Sequence, residues 1–200
     1  MNFLAHSLLG FDDSGLIAGQ FCGDFVRGRD LSHFPEQIVL GIRLHRYLDV
    51  YTDNFPGLLS ARQEMTGVPR RFVGIIVDVL FDHHLAAHWK KYSDLPLSEH
   101  ARNIHRSLSE HENVLPESLK KFMVALEKHK ILENNLHLAS IELTLKRLSL
   151  RSPRFAALAI SQEELTPWRD LLEERFEDFY PSLEQAALLF ISEYRHMETS

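Results

Sequence analysis

Asp78 and Asp82 stand four residues apart in the apolar run from Phe72 to Leu85. On a helix, four residues turn about 40° past a full circle, so both carboxylates fall on the stripe that carries Ile75, Leu85 and Trp89. Two bare carboxylates on an apolar surface repel each other, and each forfeits on the order of several kcal/mol of hydration, so a cation has to accompany them. His45 and Asp49 repeat the spacing, with Ile38 and Ile42 ahead of them on the same face and Thr52 and Asp53 one turn later. Neutral imidazole and carboxylate so placed suit a divalent ion that accepts nitrogen and oxygen together. His83 follows Asp82 directly. Neighbours on a helix diverge by about 100°, so that pair serves one ion only at the helix shoulder. His6, in Phe3-Leu4-Ala5-His6-Ser7-Leu8-Leu9, and Asp24, between Gly23 and Phe25-Val26, are further ionisable groups with apolar neighbours.

The candidate metal ligands are therefore His6, Asp24, His45, Asp49, Asp78, Asp82 and His83. An all-carboxylate cage would indicate Ca²⁺ or Mg²⁺, and thiolates would indicate structural Zn²⁺. Mixed Asp and His with the single Cys22 indicates Mn²⁺, Fe²⁺ or catalytic Zn²⁺. The competing arrangement is a buried ion-pair network in which Arg43 and Arg46 neutralise the aspartates. The chain has 12 His, nine of them by position 111. Of these, His84, His88, His100, His105, His111 and His129 lie beside or within charged helical surfaces and read as solvated. Asp24, two residues from Cys22, raises a thiol pKa, so Cys22 reads as packed rather than reactive. No G-x-G-x-x-G, Walker loop, H-E-x-x-H or G-x-S-x-G occurs, so nucleotide-cradle, zincin and hydrolase-elbow chemistries lack their motifs.

Arg27 and Arg29 follow Asp24 closely. With Arg43, Arg46, Arg70, Arg71, Lys90 and Lys91 they make eight of the nine basic residues in the first hundred. Cationic donors beside a metal suit a phosphate ester, and a local basic rim suits docking of an acidic macromolecule. Net charge is −6, divided evenly between the two halves, which argues against bulk attraction to nucleic acid.

Helices must position these residues. Pro35-Glu36 opens one through about Asp53, Leu97-Ser98-Glu99 begins another, and Pro116-Glu117 precedes Leu119, Phe122, Met123 and Leu126 at helical spacing. Asn134-Asn135 introduces a helix with Leu138, Ile141, Leu145 and Leu148 on one face. Arg71 to Lys90 is rich in β-branched residues, yet it is too long and too free of Pro for a strand, and a helix apolar almost all round belongs in the middle of a bundle. From about Glu163 to Arg195, Pro167 and Pro181 predict two or three short helices. Two hundred residues, 44% hydrophobic and 25% charged, without repeats or a linker, predict one all-α helical bundle over 1–200. No run of about 18 apolar residues occurs to span a membrane. The start lacks a secretory pattern and one Cys cannot form an internal disulfide, so the expected compartment is the cytoplasm.

The sequence resembles the acyl carrier protein phosphodiesterase family, also called holo-acyl carrier protein hydrolases. The likeness rests on Met1-Asn2-Phe3-Leu4-Ala5-His6, Gly23-Asp24-Phe25-Val26-Arg27-Gly28, and Gly41-Ile42-Arg43-Leu44-His45-Arg46-Tyr47-Leu48-Asp49 with Thr52-Asp53-Asn54. It continues in Asp78-Val79-Leu80-Phe81-Asp82-His83-His84-Leu85 with His88-Trp89. Beyond residue 90 it rests on helical character, Arg151 and Arg154 near Pro153, and Phe176-Phe179-Tyr180-Pro181. The resemblance implies an HD-domain-like helical hydrolase, dependent on Mn²⁺ or another divalent metal. Such an enzyme cleaves 4′-phosphopantetheine from holo-acyl carrier protein to give apo-carrier. It also implies catalytic roles for Asp24, Asp82 and His83, and substrate contacts from Arg27, Arg43, Arg46 and Arg70. HD-type enzymes run His-Asp where this chain has Asp82-His83, and the family more often has a bulky apolar residue at the position of His84. The alternatives are a metal-dependent phosphohydrolase of a nucleotide or other small phosphate ester, and a non-catalytic helical binding module.

Overall fold

Proline punctuates the fold, because a residue without an N–H and with a fixed φ fits just ahead of a helix better than inside one. Pro35, Pro69, Pro96 and Pro116 cap the starts of α3 (Glu36–Asn54), α5 (Arg70–Ala87), α6 (Leu97–Glu110) and α7 (Glu117–Lys128). Pro56 opens α4 (Pro56–Glu64). The computed structural model describes residues 3–198, and Met1 and Asn2 of the first motif lie outside the described residues. The remaining helices are α1 (Phe3–Leu8), α2 (Ser14–Cys22), α8 (Ile131–Asn134), α9 (Leu138–Ser149) and α10 (Gln162–Glu198). Among the described residues there is no strand. Among these residues, too, no helix is long and apolar enough to cross a membrane.

α5 is the central element and packs against α1, α4, α8, α9 and α10. From Leu80 through Ala86 every residue of it is buried, as its nearly uninterrupted apolar character predicts. α2 and α3 cross at backbone contact. A Cβ on Gly19 would fall 2.4 Å from the Ile38 carbonyl oxygen, and one on Gly41 would fall 2.5 Å from that of Leu16. This approach sets the end of α2 beside the middle of α3, where His45 lies.

The C-terminal segment corrects the sequence expectation. Pro167 and Pro181 both lie within one continuous 37-residue helix, α10, rather than separating short ones. Each internal Pro costs about 3 kcal/mol through a lost hydrogen bond and a ring clash. Leu165, Leu172, Phe176, Phe179, Tyr180, Leu183, Ala187 and Ile191 are buried along the same helix. Burying one large apolar side chain is worth about 1.5–3 kcal/mol, so packing against α3, α4 and α5 outweighs both prolines.

Candidate metal centre

The end of α2 lies so tightly against α3 that a Cβ on Gly23 would fall 2.2 Å from His45 Cγ. Glycine leaves room for that imidazole between Cys22 and Asp24. His6, from α1, stacks on it with ring centroids 4.1 Å apart. Asp49, one turn beyond His45 on α3, sets Oδ2 3.2 Å from His45 Nε2 and Oδ1 3.4 Å from His6 Nε2. Asp24 Oδ1 stands 3.7 Å from His45 Nε2. Ligand atoms of His6, His45 and Asp49 all lie within 4.8 Å of one another. Both imidazoles are buried, whereas the Asp24 side chain is 18% and the Asp49 side chain 56% exposed. The cluster therefore opens to solvent on its carboxylate side.

Gln20, fully buried on α2, orients His6: His6 Nδ1–H donates to Gln20 Oε1 at 2.9 Å. His6 Nε2 then turns a lone pair toward Asp49, which is unfavourable unless a proton or a cation stands between them. His45 Nδ1 and Gln20 Nε2 are buried without a hydrogen-bond partner. Burial alone would push the His6 imidazolium down, but the hydrogen bond and charge of Asp49 hold it above its ordinary value. Burial pushes the Asp24 carboxyl up against the pull of His45. At Asp49 burial acts the same way, but hydrogen bonds from His45 and His6 prevail and hold the carboxyl below its usual range. Two imidazole nitrogens converging with carboxylate oxygens form the donor set of Mn²⁺, Fe²⁺ or Zn²⁺, so the residues present fit such an ion.

Asp82 flanks this cluster from α5. Its Oδ1 accepts the Leu4 N–H at 3.0 Å and its Oδ2 accepts from Asn135 Nδ2 at 3.4 Å. Burial pushes its carboxyl up to about 7, partly offset by the Leu4 hydrogen bond. Half-buried Asp78, one turn earlier on α5, adds a negative charge that raises Asp82 further. His83 points elsewhere: its Nδ1–H donates to the Asn135 carbonyl at 2.8 Å, and burial lowers its pKa. The structure thus gathers His6, Asp24, His45 and Asp49, ties Asp82 to the backbone of α1 two residues before His6, and sets His83 against the loop after α8.

Arg43 and Arg46 are engaged away from Asp82. Arg46 Nη2 donates to the Val26 carbonyl at 3.0 Å, tying the loop after Asp24 to α3. Arg43 Nη1 donates to the Tyr194 hydroxyl at 3.4 Å, on the α10 side of α3. Arg27 is exposed on the loop after Asp24. Arg70 opens α5 and lines a cleft with Asp53, Arg62 and Arg71, roughly 18 Å along the helix axis from Asp82.

Two histidines expected at the surface are buried. His100 is 4% exposed because its Nε2–H donates at 2.8 Å to the Ser7 hydroxyl, whose own proton goes to the Leu4 carbonyl. His84 is also 4% exposed, covered by Phe176 of α10 and by Tyr92. Cys22 is fully buried and burial pushes its thiol up to about 12, as a packed rather than reactive residue requires. Sequence reasoning missed Gln20, Gly23 and Asn135 as parts of the site. A lone Gln within Leu16-Ile17-Ala18-Gly19-Gln20-Phe21-Cys22 was the available signal for the first. Asn135 read only as a helix start.

A family model described as acyl carrier protein phosphodiesterase matches residues 1–183. Proteins named acyl carrier protein phosphodiesterase from Salmonella agona, Salmonella dublin and Salmonella newport are each 37% identical to the chain over 187 residues. Those alignments cover 92% of this chain and 95% of each relative. No solved structure matches the chain at a significant level. All the residues gathered around His45 fall within the 1–183 matched by the family model, and the chain belongs to the acyl carrier protein phosphodiesterase family.

Proposed function

We propose that the chain hydrolyses the phosphodiester between a carrier-protein serine and 4′-phosphopantetheine, releasing apo-carrier, with Mn²⁺ or another divalent ion held by His6, His45 and Asp49 and approached by Asp24. The observation that carries this reading is the convergence of two Nε2 atoms on one Asp49 carboxylate, 3.4 and 3.2 Å away, at a solvent-open edge. The chemistry a divalent ion supplies in such a place is polarisation of a phosphoryl oxygen and acidification of water.

The chain's own groups do the rest. Gln20 fixes the tautomer of His6, so that Nε2 and not Nδ1 faces the site. Asp24, its carboxyl raised by burial and its oxygen beside His45, accepts a proton from the attacking water at the open edge. Asp82 holds α1, and with it His6, against α5 through the Leu4 N–H. Arg46 braces the loop that bears Asp24 and Arg27, and we assign Arg27 and Arg46 the role of neutralising charge that develops on the phosphoryl group. Arg43 and Arg70, exposed and farther out, serve as docking charges for an acidic carrier. We place the reaction in the cytoplasm, where a buried, unpaired Cys22 stays reduced.

The test mixes purified chain, Mn²⁺ and holo-carrier and follows apo-carrier by gel mobility and by loss of the phosphopantetheine mass. Release that stops on chelation and is absent from His45→Ala is expected. Phosphate release from nucleotides, with an inert holo-carrier, would transfer the site to small phosphate esters. No bound divalent ion and no thermal shift on adding Mn²⁺ would leave only a binding module.

A further inference from the structure

A second convergence of nitrogen and oxygen donors lies on a different helix pair. His84 and His88 stand four residues apart at the end of α5, and Glu173 and Glu177 stand four apart on α10. One ring nitrogen of each histidine and a carboxylate oxygen of Glu173 lie within 4.8 Å of one another. His88 Nδ1–H donates to the His84 carbonyl at 3.2 Å. That bond fixes the tautomer and leaves His88 Nε2 facing Glu173 Oε1 at 3.3 Å. Such backbone anchoring of the far ring nitrogen is how metal-binding histidines are held. His84 is locked between Phe176 and the Tyr92 hydroxyl, which stands 3.2 Å from its Nε2.

Carboxylates outnumber the fixed cations at this cluster, and Glu177 Oε1 also stands 3.5 Å from His84 Nε2. Glu173 and Glu177 bring two negative charges, and Lys91, 2.7 Å from Glu177, answers one of them. Arg169, four residues before Glu173, is turned to Asp170 at 2.6 Å. His84 is buried, whereas the side chains of His88 and Glu173 are 33% and 42% exposed. One wall is therefore rigid and the other leaves a route from solvent and room for a water.

We propose that His84, His88 and Glu173 form a second divalent-metal site that binds Zn²⁺ and clasps α10 to the end of α5. Two imidazoles, one carboxylate and a water complete the four-coordinate arrangement Zn²⁺ favours. Glu177, held by Lys91, stays beside the ion as a balancing charge. Side chains projecting toward one another from facing helices of a bundle are a recurrent way of building such sites. This site shares no residue with the His6 cluster, so it does not depend on the proposed reaction.

The experiment strips the full-length chain with a chelator and titrates Zn²⁺ by calorimetry against wild type, Glu173→Gln and His88→Asn, with far-UV circular dichroism confirming each fold. Expected is the loss of one equivalent of Zn²⁺, or at least tenfold weaker binding at that step, in both variants. Mn²⁺-dependent release from holo-carrier stays at the wild-type rate in Glu173→Gln. To isolate the clasp, the Zn²⁺-induced rise in Tm is measured in His45→Ala and in His45→Ala/Glu173→Gln; it persists in the first and disappears in the second. Equal stoichiometry and affinity in wild type and Glu173→Gln would overturn the proposal and leave an ordinary His–Glu ion pair. Should His88→Asn fail to fold, Glu173→Gln, altered on a part-exposed flank of α10, gives the same decision.

Discussion

Replacing Gly23 by Ala puts a methyl carbon 2.2 Å from His45 Cγ, 2.3 Å from Cδ2 and 2.7 Å from Cβ. Carbon atoms rest at about 3.5 Å or more, so the imidazole has to retreat by roughly 1.3 Å. Rotation about χ1 alone cannot provide this, because the His45 Cβ itself is among the close contacts. The ring is also pinned by its stack on His6 and by Asp49. A displacement of about 1 Å in a reacting constellation costs on the order of 10²-fold in rate, close to 2.8 kcal/mol. Gly23→Ala should therefore lower Mn²⁺-dependent release of phosphopantetheine about 10²-fold and weaken Mn²⁺ binding, measured by gel shift under saturating carrier and by calorimetry. A stability control isolates the cause. Truncating His45 to Ala removes the two shortest contacts, so the Tm penalty of Gly23→Ala should shrink in that background, with a coupling of about 0.5–3 kcal/mol. Wild-type rate and affinity in Gly23→Ala, or a Tm penalty equal in both backgrounds, would refute the assignment of Gly23 as the residue that makes room for His45.

Two further outcomes follow from buried polar groups. Gln20→Ala removes the acceptor for His6 Nδ1–H and should reduce Mn²⁺ affinity about 10–100-fold, while Gln20→Glu, which keeps an oxygen there, should recover part of it; identical affinities in all three proteins would dismiss Gln20 as an orienting residue. His100 has its pKa lowered to about 4 by burial, from an ordinary 6.5. The folded state thus disfavours its proton, and the stability this residue contributes is full above pH 6.5 and drains away as pH falls toward 4. The loss is up to about 3 kcal/mol. Urea titrations at intervals from pH 7 to pH 4 should show a shallower acid slope in His100→Gln than in wild type, and parallel slopes would contradict the assignment.

Local rules made some parts of this fold readable and hid others. α3 was legible because Pro35-Glu36 stands ahead of it with His45 and Asp49 at helical spacing, and α5 because the apolar run around Asp78 and Asp82 is too long and too free of Pro for a strand. α10 was misread because Pro167 and Pro181 obey a local rule that distant packing overrides. The burial of His100 and His84 is likewise decided elsewhere in the chain, by Ser7 and by Phe176. Flanking charge cannot report such partners. Gly23 and Gly19 were invisible as spacers, since their importance exists only once α2 lies on α3. His6, Asp24, His45 and Asp49, which the structure brings together, were thus visible as candidates, whereas Gln20 and Gly23 beside them were not.

Asp82 is where positioning and chemistry meet, and the two can be separated. Its carboxyl, 3% exposed and pushed up to about 7 by burial, is charged only at a cost. A raised pKa means that the stability it gives is complete below about 3.8 and is lost as pH rises through 7, by up to about 4 kcal/mol. Asp82→Asn keeps an Oδ1 to accept the Leu4 N–H and so keeps α1 in place, but removes the charge. If the charge serves the reaction, the metal-free variant should melt higher than wild type at pH 8 and yet release phosphopantetheine at least 10²-fold more slowly. If Asp82 serves only to hold α1, Asp82→Asn should retain full activity while Asp82→Ala, which frees the Leu4 N–H, loses both Tm and rate. A stabilised, inactive Asp82→Asn is the expected result, since the amide oxygen keeps the Leu4 N–H and only the longer 3.4 Å contact from Asn135 Nδ2 has to reverse its direction, whereas the charge beside His6 is lost outright.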